Sequence, residues 1–451
     1  MPRMHCREAA FKIDVLIVGG GISGLACAYA LGRSGHRVRV LEKTDGNLRG
    51  AGVRMPPNLT KILVEWGLED ELKKCQPCRK TTFISYDNGD TLGVLEWQED
   101  VLEEAGGQFL LIRYDDLYKM LRNLALSAGA TISYDSTVTA VESAPTPCVH
   151  VNGTILTADL IIGADGGKSL LREFVTKEED TGTNGGHTFY TVFIPIEQVA
   201  SMDSRLAKWA HAPQWPIVMG DDRCALGFPT RTDYCFTVVW PDAEVPGASD
   251  VPEGWDTCPT SKLDLSEYDR TPGRRLFNLA PIAQRAKYVY RDRIKDWVDH
   301  SGRVVLVGEA AHPSIPHSTH GVSMAIEDAE ALGVLMSHLS SPEQIPQLTE
   351  GFQELRQKRC DFIHFGEMSN WAFSMMPPGE ERDSRNTLLR ESLKTGIEHW
   401  DDGMLREQWE QIEVGFAYHM REAAEDWWMK WGSLGNGVKS NGVVPIKIGI
   451  S

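Results

Sequence analysis

Residues 13–18 form a short apolar run, interrupted only by Asp14, that stops at Gly19-Gly20-Gly21-Ile22-Ser23-Gly24. A short run of this kind marks a strand buried on both faces, as in a parallel sheet. Residues 23–34 follow with Ala26, Ala30 and Leu31 on one helical face, Gly35 closes the helix, and 38–41 turn apolar again. Together these segments predict a β-α-β unit. Amphipathic helices are expected over 57–66 and 115–128, and a hairpin over 81–95 about Asn88-Gly89. Strands are expected over 131–141 and 150–156, with a further buried one at 160–163. From 188 to 240 the pattern changes to alternating strands with turns at Pro213, Asp221-Asp222 and Thr232-Asp233, which predicts an antiparallel second domain. Residues 241–262 are rich in Pro, Gly, Asp and Thr and read as a loop, 304–307 return to the buried parallel type, and the chain from Met324 onward reads as helical, ending in a Trp-dense segment at 425–431.

Charge narrows the partners. The 451 residues carry 46 Lys and Arg against 63 Asp and Glu, a net charge of −17, which repels nucleic acid and anionic membrane surfaces. Small molecules are the expected ligands. No run of 18 apolar residues exists, and the first 12 residues lack an apolar signal core, so a cytoplasmic protein with no membrane span is expected. The nine cysteines are scattered. Cys75 and Cys78 form a lone CxxC with no second ligand pair, which reads as packing rather than metal binding.

The glycines carry the first chemical signal. In Gly19-x-Gly21-x-x-Gly24, the first glycine allows a tight turn, the second lets a pyrophosphate approach the backbone, and the third lets helix and strand pack closely. The phosphates would sit on the helix N-terminus, and Glu42, ending the second strand, is placed to bond ribose hydroxyls. Glu42 followed by Lys43 favours an unphosphorylated ribose, hence FAD or NAD. The fold class is therefore α/β, built on a Rossmann-type domain.

Two further segments complete a pattern. Residues 159–172 read DLIIGADGGKSLLR, and 302–332 begin GRVVLVGEAAHPSIPHSTHG and continue through MAIEDAEAL. With the glycine fingerprint and the segment GAGVRMPPN at 50–58, they resemble the flavoprotein aromatic monooxygenases of the para-hydroxybenzoate and salicylate hydroxylase type, in their fungal form. That resemblance implies an FAD-binding domain over 1–184 and 291–340, an inserted antiparallel-sheet substrate domain over 185–290, and a helical C-terminal region over 341–451. It implies that Gly19, Gly21, Gly24 and Glu42 hold the adenosine half of FAD, that Gly52 and Val53 lie against the flavin, and that Arg113 contacts the cofactor. Many members carry that arginine one place later, where Tyr114 stands. Asp165 and Gly166 would lie near the pyrophosphate, with Arg172 ordering their turn. Glu309 replaces the family's aspartate as acceptor for the ribityl chain, His312 supports the loop, and Pro316, Gly321 and Val322 would border the flavin. His320 and Ser323 depart from the residues usual at their positions.

The implied reaction is hydroxylation of a phenolic, salicylate-like or secondary-metabolite aromatic by O2, with NADH or NADPH as a transient co-substrate and a flavin C4a-hydroperoxide as oxygen donor. Tyr190, Tyr234 and His317 are the catalytic candidates and Phe228 a further substrate-facing one, while Arg223 and Arg231 are candidates for reading a carboxylate. No metal is expected, although His312, His317 and His320 lie close in sequence. The assembly is expected to be a monomer or homodimer. Two other readings share the glycine motifs: a flavin epoxidase or halogenase, whose WxWxIP signature is absent, Gln214-Trp215-Pro216-Ile217 being the nearest stretch and not a match, and a non-catalytic FAD-binding protein.

Overall fold

A computed structural model describes residues 7–47, 50–202, 204–244, 251–263, 273–395 and 413–432. At its centre is a five-stranded parallel sheet, ordered Val304–Leu306, Leu160–Gly163, Asp14–Val18, Arg37–Leu41 and Thr131–Ser133. The predicted β-α-β unit forms its middle, with the helix Ile22–Arg33 laid between this sheet and the helix Gly321–Ser337. Glycines let these helices approach: a Cβ at Gly333 would stand 2.8 Å from Ala30 Cβ, and one at Gly32 would stand 2.8 Å from the Ala128 carbonyl oxygen.

A second sheet has eight strands. Its order is Trp255–Pro259, Ile282–Tyr290, Thr183–Pro195, Asp233–Pro241, Cys224–Pro229, Gln214–Met219, Lys80–Ser85 and Thr91–Glu96. The Asn88-Gly89 hairpin thus crosses from the N-terminal segment to complete this sheet, its first strand running parallel to Gln214–Met219. The sequence reading of 241–262 as loop is corrected in part: Trp255–Pro259 is an edge strand paired with Ile282–Tyr290. Its polar character is that of a strand with one neighbour and a wet face. The segment 131–141 is two strands, broken where Asp135 takes a positive φ of 51°. The segment 150–156 is instead a hairpin turning at Asn152 and Gly153, both left-handed.

The helix Gly321–Ser337 is buried on every side from Ser323 onward, yet it carries three acids. Asp328 accepts from the Gly308 amide (2.8 Å), His312 Nε2 (2.7 Å) and Arg356 Nε (2.8 Å). Glu327 is held by Arg356 (2.6 Å), Arg359 (3.1 Å) and Asn58 (2.8 Å), while Glu330 is held by Arg33 (2.6 Å), Trp66 (2.7 Å) and Arg421. Burying a carboxylate is tolerable only with such pairing. Asp328 of the 324–332 motif therefore braces the site loop through Gly308 and His312, while Glu327 and Glu330 tie the helix to its neighbours. Among the described residues, no helix is long and apolar enough to cross a membrane.

Candidate cofactor and substrate site

The glycine loop is clamped from both sides. Gly19 has φ of +104°, and a Cβ there would overlap the Ala164 carbonyl. A Cβ at Gly24 would overlap the Gly19 carbonyl oxygen. Gly21 is different, because its nearest neighbour along the Cβ direction is the Tyr114 hydroxyl, 3.8 Å away. Two glycines are thus required by the protein's own backbone, and one opens onto space. The Glu42 carboxylate ends its strand beside this loop, accepting from the Gly20 amide (2.7 Å) and from the Thr44 amide (2.8 Å) and hydroxyl (2.7 Å).

Opposite lies the turn Asp165–Gly167. Asp165 accepts from the Ser169 hydroxyl (2.5 Å) and the Leu171 amide (3.2 Å), and burial raises its pKa against those bonds. Gly166 has φ of +84° with nothing near its Cβ direction. Arg172 is buried and fastens this turn to the strand-end loop: it donates to the carbonyls of Gly167 (2.8 Å), Ala310 (2.8 Å) and Glu309. Glu309 itself is solvent-exposed, yet the protein around it desolvates the carboxylate and raises its pKa against the pull of His312 and Arg172.

Arg113 turns away from the glycine loop. It pairs with Asp233 (2.8 Å) and Asp115 (3.2 Å) and lies over the Phe193 ring (4.3 Å). Tyr114, one place on, is the side chain that reaches the loop. Its ring fills the space beside Gly50, and burial pushes its hydroxyl's pKa up. Strand Leu110–Arg113 ends and helix Tyr114–Ser127 begins between these two residues, which sends the neighbours in different directions.

Gly52 and Val53 belong to the strand Gly52–Met55, which runs directly over the large sheet: a Cβ on Gly52 would stand 2.5 Å from Phe228 Cζ and 2.7 Å from Cys235 Sγ. Pro316 is half-buried in the loop above. The Gly321 amide donates to Ser318 Oγ (2.8 Å), as does the His320 amide (3.1 Å), so a local turn takes up the Gly321 N–H; Val322 is the next residue of the helix first turn. His320 and Ser323, the two departures, bond each other: Ser323 Oγ lies 3.3 Å from His320 Nδ1 and 2.9 Å from its carbonyl.

The large sheet corrects two catalytic candidates. Tyr190 and Tyr234 lie on the face turned away from the cofactor loops, packed with Val192, Phe236, Trp209 and Phe277. Tyr190 is 1% exposed and its phenol is pushed to about 12 by burial; Tyr234 is fully buried with its hydroxyl unpartnered. The face toward the cofactor loops carries their strand neighbours Phe189, Thr191, Cys235 and Thr237, together with Phe228. His317 does stand on this face. Its Nε2 lies 2.8 Å from Thr191 Oγ1, which is 2.9 Å from Thr237 Oγ1. Its ring stacks on Phe189 (5.5 Å between centroids) and meets Trp255 edge-on (5.4 Å). His317 has a positive φ of 59°, uncommon outside glycine, and burial followed by the nearby Arg54 charge drives its pKa down to about 3. The ring is therefore neutral at physiological pH.

Arg223 pairs with Glu244 (2.6 Å), and Arg231 is exposed at a turn. The cationic residue that the sequence reading passed over is Arg54, on the same strand as Gly52; its guanidinium lies over the Trp215 ring (4.2 Å). Cys75 and Cys78 are held as thiols, their pKa values pushed to about 11 and about 12 by burial.

The observed parts fit FAD: a glycine cradle that a Cβ would fill, an acid at the second strand's end, and the exposed Glu309 carboxylate in the loop that Arg172 fastens to the Asp165–Gly167 turn. The family model described as an FAD binding domain matches residues 12–360, and the chain belongs to that family. Hispidin-3-hydroxylase of Neonothopanus nambi is 30% identical over 375 residues, covering 78% of this chain and 87% of that protein. The 6-hydroxynicotinate 3-monooxygenase of Bordetella bronchiseptica is 29% identical over 336 residues, covering 71% and 82%. Among solved structures, a salicylate hydroxylase substrate complex shares the fold with a TM-score of 0.71 at 20% identity, over 92% of this chain and 97% of that one. The protein is an FAD-dependent monooxygenase.

Glu309 supplies a first test. Glu309→Ala is expected to weaken FAD binding by about tenfold or more, the range for losing a hydrogen bond to a charged group, whereas Glu309→Asp retains FAD. Flavin retained by the alanine variant at wild-type affinity refutes this role.

Proposed function

We propose that this protein hydroxylates a phenolic or otherwise acidic aromatic compound, using O2 and a transiently docked NADH or NADPH, as a cytoplasmic monomer or homodimer. The observation that supports it best is the polar chain Thr237–Thr191–His317, set among the rings of Phe189 and Trp255 on the sheet face toward the cofactor loops. FAD, when bound, would supply the redox chemistry that links the nicotinamide to O2. Glu309, Glu42 and the two glycine turns would hold it, with Arg172 keeping the turns in register. The aromatic walls orient a flat substrate and exclude water. His317, neutral and hydrogen-bonded through Nε2 to Thr191, keeps Nδ1 available to accept a hydrogen bond from a substrate hydroxyl and so orient it. An ionised ring oxygen makes the ring more electron-rich, which is what oxygen insertion requires.

The test is anaerobic mixing of the FAD-loaded protein with NADH and with NADPH, alone and with hispidin, 6-hydroxynicotinate or salicylate. Loss of oxidised-flavin absorbance with at least one nucleotide, faster with an aromatic present, is expected. Flavin that stays oxidised under every condition would sink the proposal and leave the non-catalytic reading.

A further inference from the structure

Arg54 is 5% exposed and, among the described residues, has no carboxylate bonded to it. Its Nε donates to Thr319 Oγ1 (3.0 Å) and its Nη2 to the His317 carbonyl, while Nη1 has no partner among the described residues. The acid that compensates it through space is Glu367, whose carboxylate accepts from the Thr319 amide (3.3 Å). The neighbouring thiols of Cys78, Cys224 and Cys235 are held neutral by burial, with pKa values of about 12, so they offer no counter-charge. Burial also lowers the pKa of Arg54 to about 10, which leaves it charged at neutral pH.

Two residues touching Arg54 share its incompleteness. Among the described residues, Trp215, whose ring lies beneath the guanidinium, has no partner for its buried Nε1, and His317, whose carbonyl the guanidinium holds, has none for its buried Nδ1. Arg54 Nη1 and Trp215 Nε1 can only donate. Buried donors without acceptors beside a buried cation call for a partner, and an oxygen bearing negative charge satisfies both needs.

We propose that Arg54 recognises an anionic oxygen of the substrate, an acidic enolate, phenolate or carboxylate, with Trp215 Nε1 as a second donor and His317 as its neutral neighbour. This rests on the monooxygenase reading for the nature of the occupant, but it is a statement about binding alone. It selects acidic aromatic compounds over their neutral analogues.

The test uses the oxidised, FAD-loaded full chain, with no nicotinamide and no turnover, so it is independent of whether the flavin can be reduced. Binding is read from perturbation of the flavin spectrum with two matched pairs: 4-hydroxycoumarin against 4-methoxycoumarin, and salicylate against salicylamide. The wild type is expected to prefer the anion of at least one pair by about tenfold or more. Arg54→Met is expected to abolish that preference, and Arg54→Lys to reduce it, since an ammonium keeps charge without the planar fork. Arg390→Met, altering an exposed arginine given no part in the site, is expected to leave it unchanged. Were Arg54 only a brace for the His317 loop, the methionine variant would weaken acid and neutral analogue equally and keep their ratio, which overturns the proposal. Absence of any preference in the wild type, or of any anion binding, overturns it as well. If Arg54→Met does not retain FAD, Arg54→Lys decides, and an unaltered preference there overturns the assignment.

Discussion

Replacing Arg356 with methionine is expected to destabilise the FAD-loaded protein by about 3–5 kcal/mol, the range seen when one member of a buried ion pair is removed. Arg356 is fully buried and bonds both Glu327 and Asp328. Burial alone would raise the pKa of Asp328, but His312 and Arg356 overcome it and hold the carboxyl at about 2. A carboxyl with a depressed folded value contributes stability above its unfolded value of 3.8 and loses it as pH falls toward about 2. His312 works the other way. Burial disfavours its charge, yet Cys360 and Asp328 lift its pKa to about 10, so its contribution is complete below 6.5 and is lost as pH rises through about 10. Urea unfolding should therefore find the wild type losing stability from about pH 7 toward about pH 10 through this pair, a slope that His312→Asn removes. The Arg356→Met deficit should be full at neutral pH and shrink on acidification toward about pH 4, as Asp328 becomes free to protonate. A deficit below about 1 kcal/mol at neutral pH would mean that Arg359 and His312 alone satisfy the acids.

The same cluster shows how function and scaffold were interleaved in the sequence. Residues 324–332 stand beside cofactor motifs, and their acids look chemical on paper. In the fold they face arginines and a histidine, not the cleft. His312, Asp328 and Cys360 lie close enough to suggest metal ligands, but Asp328 is already shared among an arginine, an imidazole and a backbone amide. The glycine fingerprint was readable because strand, turn, helix and second strand each constrain the same few residues, so composition and spacing agree.

The substrate face was not readable, for a definite reason. Residues 187–194 are buried on both sides of their strand, because helices Ile196–Met202, Ser204–His211 and Gly273–Phe277 cover one face while the cofactor loops cover the other. Alternation tells two faces apart only when one of them is wet. Tyr190 and Thr191 were thus equally eligible, and choosing the aromatic gave the wrong face. Arg54 escaped for a related reason. A lone arginine in a short strand reads as solvent-facing, and its burial comes from the large sheet beneath and the His317 loop above, neither adjacent in sequence. Arg113 and Tyr114 differ by one position across a strand-to-helix junction, which motif spacing cannot resolve.

Gly24→Ala is expected to abolish stable FAD binding, raising the dissociation constant at least about a hundredfold while the chain still folds. The added methyl would overlap the Gly19 carbonyl oxygen and approach Ile17 Cγ2 at 3.3 Å. Neither neighbour can give way easily. Gly19 donates its amide to the Leu41 carbonyl (2.8 Å), and its own Cβ direction is closed by Ala164, so the turn is fixed to the central strand's partners on both sides. Relief must come from moving the start of helix Ile22–Arg33 outward, which displaces the amides that a pyrophosphate would use. Overpacking of this kind costs about 1–3 kcal/mol even against movable side chains, and backbone is less forgiving. Gly153→Ala is the control: Gly153 is also left-handed, at φ of +77°, but has nothing near its Cβ direction and lies in a peripheral hairpin. It should lose about 1 kcal/mol of stability and none of its flavin. The ratio of flavin to protein absorbance after gel filtration separates the two variants, and a Gly24→Ala protein that elutes with full flavin would show that the helix start is not what seats the cofactor.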